Sequence, residues 1–136
     1  MPATEVEMPP VEISQRDGVM TIAICRPEIR NAVGPATARA LYAAFLRFEA
    51  EETAKVAVLT GRGGYFCAGF DLKSAGQGAS DEWLGSLDIE ADWRDPIVDP
   101  RPGPMGPSRL MLSKPVIAAI EGPAVAGGME LAAWCD

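Results

Sequence analysis

Residues 19–24 read Val-Met-Thr-Ile-Ala-Ile, an apolar, β-branched stretch that decides the fold. A short apolar run bounded by turn signals is typical of a strand with both faces covered. Asp17-Gly18, directly before it, is a two-residue hairpin turn signal. We therefore predict that residues 11–14 form a strand that pairs with residues 19–24.

An amphipathic helix and a second strand follow. Pro35 suits the first position of a helix, and the helix is predicted to end near residues 51–53. Residues 55–60 form another short apolar run, which predicts a buried strand. Strand, helix and strand in this order predict a right-handed crossover and a parallel sheet. The apolar face of the helix, at i, i+3, i+4 spacing, consists of Ala38, Leu41, Phe45 and Phe48.

The rest of the chain contains a long irregular region and one more strand and helix. Residues 74–109 are rich in Gly, Pro, Asp and Ser, and such a stretch usually forms a lid or a binding loop, or is disordered. Residues 114–120 predict a third buried strand, and residues 129–134 predict a helix. Residues 71–73 are predicted to begin a short helix. Residues 1–10 contain three prolines and predict a flexible N-terminal arm.

The composition excludes several classes of function. The net charge of −7 argues against nucleic acid as a partner, because phosphate binding requires a concentrated positive field. The chain has no histidine and no C-x-x-C pair, which excludes a zinc site and a histidine-activated nucleophile within it. Its cysteines are predicted to be reduced packing residues; they are Cys25, Cys67 and Cys135.

The sequence gives no sign of a membrane or secretory location. No run of about 18 apolar residues is present, so no transmembrane helix and no membrane partner are expected. The N-terminus lacks a basic segment followed by an apolar stretch, which argues against a secretory signal. The expected location is the cytosol.

Two glycine-containing turns, Cys67–Asp71 and Ala126–Glu130, each follow a predicted strand and lead toward a predicted helix. Such turns present free backbone N–H groups at the positive end of a helix, where they attract developing negative charge. Glycine also permits close backbone approach to a ligand. Two N–H groups that converge from these turns would form an oxyanion hole for a carbonyl. Ordinary strand-to-helix connections are the alternative.

Glu130 lies three residues after Gly127, one helical turn on, so both residues can face one cleft. A partly buried carboxylate there could transfer a proton to or from carbon or water. A solvated glutamate that stabilises the helix dipole is the alternative. A nucleotide site is less favoured, because Phe66 stands where the dinucleotide fingerprint of residues 61–66 requires its last glycine.

Four segments resemble motifs of the crotonase superfamily, which contains enoyl-CoA hydratases and isomerases. They are Arg26–Ala32, Phe66–Lys73, Lys114–Gly122 and Ala126–Leu131, in family order. The resemblance implies an α/β, crotonase-like (ClpP/crotonase) spiral of ββα units that binds acyl-CoA thioesters. It makes residues 11–136 the N-terminal part of this acyl-CoA-binding core, truncated before the C-terminal helices. The variable loop that shapes the acyl pocket corresponds to residues 74–109.

The resemblance also implies roles for individual residues. Glu130 matches the first of two glutamates that hydratases use to hold and activate water, and the N–H groups of Ala68 and Gly127 match the oxyanion hole. Phe70 stands where a small residue is more usual, which would narrow or reshape the acyl site. No metal is implied, and coenzyme A enters only as part of the thioester substrate. The residues implied to contact it are Ile29, Arg30, Ala32, Ala68, Gly69, Phe70, Asp71, Lys73 and Gly127.

The implied activity is addition of water to a 2-enoyl-CoA thioester. Double-bond isomerisation, or another reaction of CoA thioesters on the same fold, is an alternative. An inactive fragment is another, because the second glutamate would lie beyond residue 136. For full-length members the family implies a homo-oligomer, either a trimer or a dimer of trimers.

Overall fold

The computed structural model describes residues 8–73 and 78–136. The strands form one four-stranded sheet in the order β1-β2-β3-β4. Residues 1–7 of the predicted N-terminal arm lie outside the described residues. In chain order the elements are β1 (Val11–Arg16), β2 (Val19–Ile24), a single 3-10 turn (Pro27–Ile29), α1 (Pro35–Ala50), β3 (Val56–Gly61), α2 (Gly78–Gly85), β4 (Val116–Ala119) and α3 (Gly127–Trp134).

The first half of the sheet forms as its local patterns predict. β1 and β2 make an antiparallel hairpin that closes with Arg16 opposite Val19. Asp17 and Gly18 between them have φ of 51° and 81°, the left-handed pair that a type I′ turn requires. β2 pairs with β3, and β3 with β4, in parallel. The predicted hairpin and parallel sheet are both confirmed.

The apolar face of α1 contributes to the hydrophobic core. Phe45 and Phe48 are fully buried in one cluster with Ile22 and Leu59 of the sheet. The Phe45 ring meets the Trp134 ring of α3 edge to face, with centroids 4.9 Å apart and an interplanar angle of 79°. α3 is thereby packed against the same core as the first half of the chain.

A lysine joins the end of α1 to the beginning of β4. The Nζ of Lys114 donates hydrogen bonds to the carbonyl oxygens of Phe48, Glu51 and Ala54 at 2.6, 2.8 and 2.8 Å. The carbonyls at a helix C-terminus lack intrahelical partners, and a cation there also offsets the negative end of the helix dipole. Lys114 therefore caps α1 from a position far along the chain.

β4 is less buried than its sequence predicts. Val116 is 2% exposed but Ile117 is 51% exposed, so the prediction of a fully buried strand is wrong. β4 lies at the edge of the sheet, and within the described residues α1 does not cover it as it covers β2. Asp136 pairs with the outer edge of β4. The Asp136 N–H donates to the Val116 carbonyl at 2.8 Å, and the Asp136 Oδ2 accepts from the Val116 N–H at 3.0 Å.

The long region before β4 is docked on the core. It contains α2, a helix that the sequence analysis did not predict, and Trp83 of this helix is buried. Residues 86–113 form no helix or strand, in line with their many prolines. The predicted helix start at residues 71–73 is wrong: Leu72 and Lys73 lie in a turn, because the Oδ1 of Asp71 accepts from the Lys73 N–H at 3.1 Å. No helix in the described residues is long and apolar enough to cross a membrane.

Candidate active site

The two glycine-containing turns pack directly against each other. Cys67 forms a parallel bridge with Ala124, and its carbonyl accepts from the Val125 N–H at 3.1 Å. The N–H groups of Phe66 and Cys67 donate to the Pro123 carbonyl at 3.0 and 3.2 Å. These backbone hydrogen bonds hold the beginning of the first turn beside residues 123–125, which come directly before the second turn.

Glycine is required at this contact because the two backbones leave no room for side chains. A Cβ at Gly69 would lie 3.1 Å from the nitrogen of Gly127. A Cβ at Gly128 would overlap the carbonyl oxygen of Cys67. Gly69 also has φ of 100°, a conformation that other residues rarely adopt. The backbones of the two turns are therefore in direct contact.

The free N–H groups in the turns differ from those predicted. The Ala68 N–H donates to the Arg30 carbonyl at 3.1 Å, so the assignment of Ala68 as a free donor is wrong in this structure. The Gly69 carbonyl accepts from the Val33 N–H, and the Asp71 N–H donates to the Val33 carbonyl. The N–H of the intervening residue, Phe70, consequently points away from Val33.

Phe70 and Gly127 carry the available donors. Among the described residues, neither N–H donates a hydrogen bond to another group. Gly127 is the first residue of α3, where N–H groups have no intrahelical acceptor. Ala126 before it has φ of 50° and ψ of −123°, a conformation that favours glycine. Two N–H groups without an acceptor among residues 8–73 and 78–136 thus belong to turns that pack against each other.

A cavity of about 430 Å³ lies beside the first turn. Most of the residues implied to contact coenzyme A line it, whereas Gly69 and Gly127 lie at the contact between the turns instead. The lining carries both signs of charge, with two basic and two acidic side chains. The lining residues are Glu28, Ile29, Arg30, Ala32, Ala68, Phe70, Asp71, Leu72 and Lys73.

Glu130 lies in the first turn of α3, and its side chain is exposed. Its N–H donates to the Ala126 carbonyl at 3.3 Å, so the residue is tied to the turn that carries Gly127. The expectation of partial burial is wrong for the described residues, because no side chain among them covers this face of α3. The position is open both to a ligand and to solvent.

Comparison with known proteins identifies the family. The family model for enoyl-CoA hydratase/isomerase matches residues 14–99. The chain belongs to the enoyl-CoA hydratase/isomerase family. Enoyl-CoA hydratase EchA19 of Mycobacterium tuberculosis is 34% identical to it, over 98% of this chain and 47% of that protein. 4-Chlorobenzoyl coenzyme A dehalogenase-2 of an Arthrobacter species is 31% identical, over 93% and 43%.

Solved structures of this family confirm the predicted crotonase-like fold. Carnitinyl-CoA hydratase from Mycobacterium avium superimposes with a TM-score of 0.77 at 31% identity, covering 96% of this chain and 45% of that one. Enoyl-CoA hydratase EchA1 from Mycobacterium marinum gives 0.75 at 38% identity, with coverage of 95% and 44%. The chain spans about half the length of the relatives it matches. Because these relatives are named hydratases and a dehalogenase, membership alone does not select a reaction.

The family motif Arg26–Ala32 forms a loop beside the cavity, the cavity loop. The side chain of Asn31 holds this loop in place, a role that the sequence analysis did not assign. Asn31 is fully buried in the left-handed conformation, with φ of 58°, which asparagine tolerates better than most residues. Its Oδ1 accepts from the Arg26 N–H at 2.8 Å, and its Nδ2 donates to the carbonyls of Arg62 and Tyr65 at 2.9 and 2.8 Å. One amide thereby joins the cavity loop to the loop after β3.

Asn31→Ala is expected to lower the free energy of unfolding by about 2–4 kcal/mol. The change removes three hydrogen bonds and leaves two carbonyls and one N–H unpaired in a largely buried site, each at a cost of about 1–3 kcal/mol if water does not replace the partner. Urea denaturation measures the effect. Gln15→Ala removes the exposed hydrogen bond to Thr53 and serves as the control, with a change within about 0.5 kcal/mol. Equal losses for the two variants would contradict the role of Asn31.

Cys67 lies at the start of the first turn as a buried thiol. Burial raises the pKa of this thiol, and the hydrogen bond from the Gly69 N–H, 3.4 Å from Sγ, opposes that shift. A thiol that stays protonated is a weak nucleophile. Cys67 therefore acts as a packing residue under the turn, in line with the sequence prediction.

Proposed function

We propose that this chain forms the thioester-binding half of an enoyl-CoA hydratase, an enzyme that adds water to a 2-enoyl-CoA. The observation that carries the proposal is the pair of N–H groups, on Phe70 and Gly127, that have no acceptor in the described part of the chain and lie in two turns packed against each other. Groups of this kind are suited to an acceptor oxygen that gains negative charge during reaction. A thioester carbonyl is such an acceptor.

The two donors would act mainly in the transition state. When water attacks the β-carbon of an enoyl thioester, negative charge moves onto the carbonyl oxygen and an enolate-like species forms. The N–H groups of Phe70 and Gly127 would stabilise that charge, and removal of one such donor typically lowers kcat by about 10²–10³-fold. The N-terminal end of α3 adds a favourable dipole at the same point.

Glu130 would handle the proton. Its carboxylate lies one helical turn from Gly127 and can accept a proton from water or return one to the α-carbon, which typically contributes about 10²–10⁴-fold. In hydration a second carboxylate would share this work, and it would lie beyond residue 136. Ile29, Arg30, Ala32 and Lys73 would then contact coenzyme A along the cavity beside the first turn.

Hydration of crotonyl-CoA by the protein expressed from its gene is the direct test. The expected result is loss of the absorbance of the conjugated enoyl thioester, with a kcat typical of an enzyme. Absence of hydration by folded protein would refute the proposal. For the 136-residue chain alone we expect little or no turnover, because it spans about half of its relatives.

A second candidate is isomerisation of a 3-enoyl-CoA to its conjugated 2-enoyl isomer. It is favoured by the single carboxylate that the second turn carries, because a shift of one proton between two carbons needs one base rather than two. The same oxyanion hole would stabilise the dienolate. Appearance of enoyl absorbance from a 3-enoyl-CoA, without hydration of crotonyl-CoA, would select this reaction.

A further inference from the structure

We infer that Met105 is a positioning residue for the Gly127 N–H, an inference that rests on the proposed function. Met105 is 2% exposed and comes from the irregular region before β4, outside the four family motifs. A Cβ at Gly127 would lie 2.7 Å from the sulfur of Met105 and 3.0 Å from its methyl carbon. The thioether therefore occupies the space beside Gly127 that a side chain would otherwise fill.

The backbone that carries Met105 is itself fixed. Gly103 and Gly106 exchange two backbone hydrogen bonds, each 2.9 Å long, which close a tight loop around residue 105. The Nε1 of Trp83 donates to the carbonyl of Pro104, the residue before Met105, at 3.1 Å. A Cβ at Gly106 would lie 2.5 Å from the Ala38 carbonyl oxygen, so this loop sits directly on α1.

The turn that Met105 supports is strained. The conformation of Ala126, with φ of 50° and ψ of −123°, is one that residues other than glycine adopt only at a cost in energy, and it persists where the surroundings prevent relaxation. The sulfur of Met105 closes the turn on one side. Gly69, whose Cβ would lie 3.1 Å from both the Ala126 Cβ and the Gly127 nitrogen, closes it on another.

Removal of the thioether would open space next to Gly127. The Ala126–Gly127 peptide could then rotate toward a less strained conformation, which would turn the Gly127 N–H away from the carbonyl oxygen. An unbranched thioether fills irregular space well, and leucine has a similar volume. A leucine at position 105 should therefore retain most of the support, and an alanine should not.

The experiment compares Met105→Ala, Met105→Leu and a control, Met111→Ala, whose methionine is 60% exposed. Each variant is made in the protein expressed from its gene, checked for folding, assayed with crotonyl-CoA and titrated with cinnamoyl-CoA, whose absorption moves to longer wavelength when its carbonyl is polarised. Because loss of a donor costs about 10²–10³-fold, we expect Met105→Ala to lower kcat by at least about 10-fold. Its KM should change by less than about 3-fold, and the spectral shift should shrink. The other two variants should resemble the wild type.

The outcomes separate this inference from the proposed function. A wild-type protein, expressed from its gene, that neither polarises cinnamoyl-CoA nor turns over substrate would refute the proposed function. A wild type that does both, with kcat and spectral shift unchanged in Met105→Ala, would overturn the role of Met105, even if that variant melts at a lower temperature. If Met105→Ala does not fold, Met105→Val is judged by the same criteria.

Discussion

Glu130→Gln is expected to lower kcat for hydration by about 10²–10⁴-fold, the range typical of a general acid–base group. The change keeps the size of the side chain and removes its ability to take up a proton at neutral pH. Because Glu130 is exposed, stability should change by less than about 0.5 kcal/mol. Steady-state kinetics with crotonyl-CoA and urea denaturation measure the two quantities.

The affinity for coenzyme A should be nearly unchanged in this variant, because the cavity beside the first turn does not include Glu130. Glu82→Gln, at an exposed position of α2, removes the same charge outside both turns and outside the cavity beside the first turn, and serves as the control. We expect it to leave kcat within about 2-fold of the wild type, as for a surface substitution. A Glu130→Gln enzyme with wild-type kcat would remove this carboxylate from the mechanism.

Gly128→Ala is expected to destabilise the protein by about 3 kcal/mol or more and to abolish turnover. The new Cβ would overlap the Cys67 carbonyl oxygen, which is rigid backbone that also accepts from the Val125 N–H. Overpacking in such a place costs about 1–3 kcal/mol, occasionally more. The two turns would have to separate, and the donors on Phe70 and Gly127 would no longer converge.

Gly85→Ala provides the matched control, because a Cβ at that glycine would meet no described atom within 4 Å beyond its chain neighbours and the backbone of its own helix. Gly85 ends α2, and alanine there should leave stability unchanged or slightly raised. Urea denaturation of both variants, together with the crotonyl-CoA assay, tests the prediction. Wild-type stability in Gly128→Ala would show that the turns are not packed as described.

Much of this fold could be predicted from local sequence patterns. The hairpin, α1 and β3 each follow from residues close together in the chain, namely a turn pair, an apolar stripe and a short β-branched run. The burial of β4 could not be predicted in this way. An apolar run has the same composition in the centre of a sheet as at its edge, and only the neighbouring strands decide which of the two applies.

The candidate site was predictable in outline but not in its donors. Motifs located the two turns and Glu130, and these are the parts that the chain brings together. The direction of a single N–H depends on partners distant in sequence. The Arg30 carbonyl accepts from the Ala68 N–H, and the hydrogen bonds of Val33 with Gly69 and Asp71 leave the Phe70 N–H pointing away from Val33. Met105 lies in an irregular region with no periodic pattern, so no local signal marks it. The cytosolic location and the homo-oligomer stay predictions.

The hydrogen bonds of Lys114 have a consequence for how the irregular region before β4 can change in evolution. These hydrogen bonds, to carbonyls within residues 48–54, act together with the parallel pairing of β3 and β4. They fix both ends of the segment between the two strands, residues 62–115. The entropy of closing a flexible loop rises slowly with length, by about 0.6 kcal/mol for each doubling. Within that segment, residues 88–99 are exposed or half-buried, and insertions and deletions there can therefore accumulate at little thermodynamic cost. The two turns can stay unchanged while this exposed stretch is exchanged.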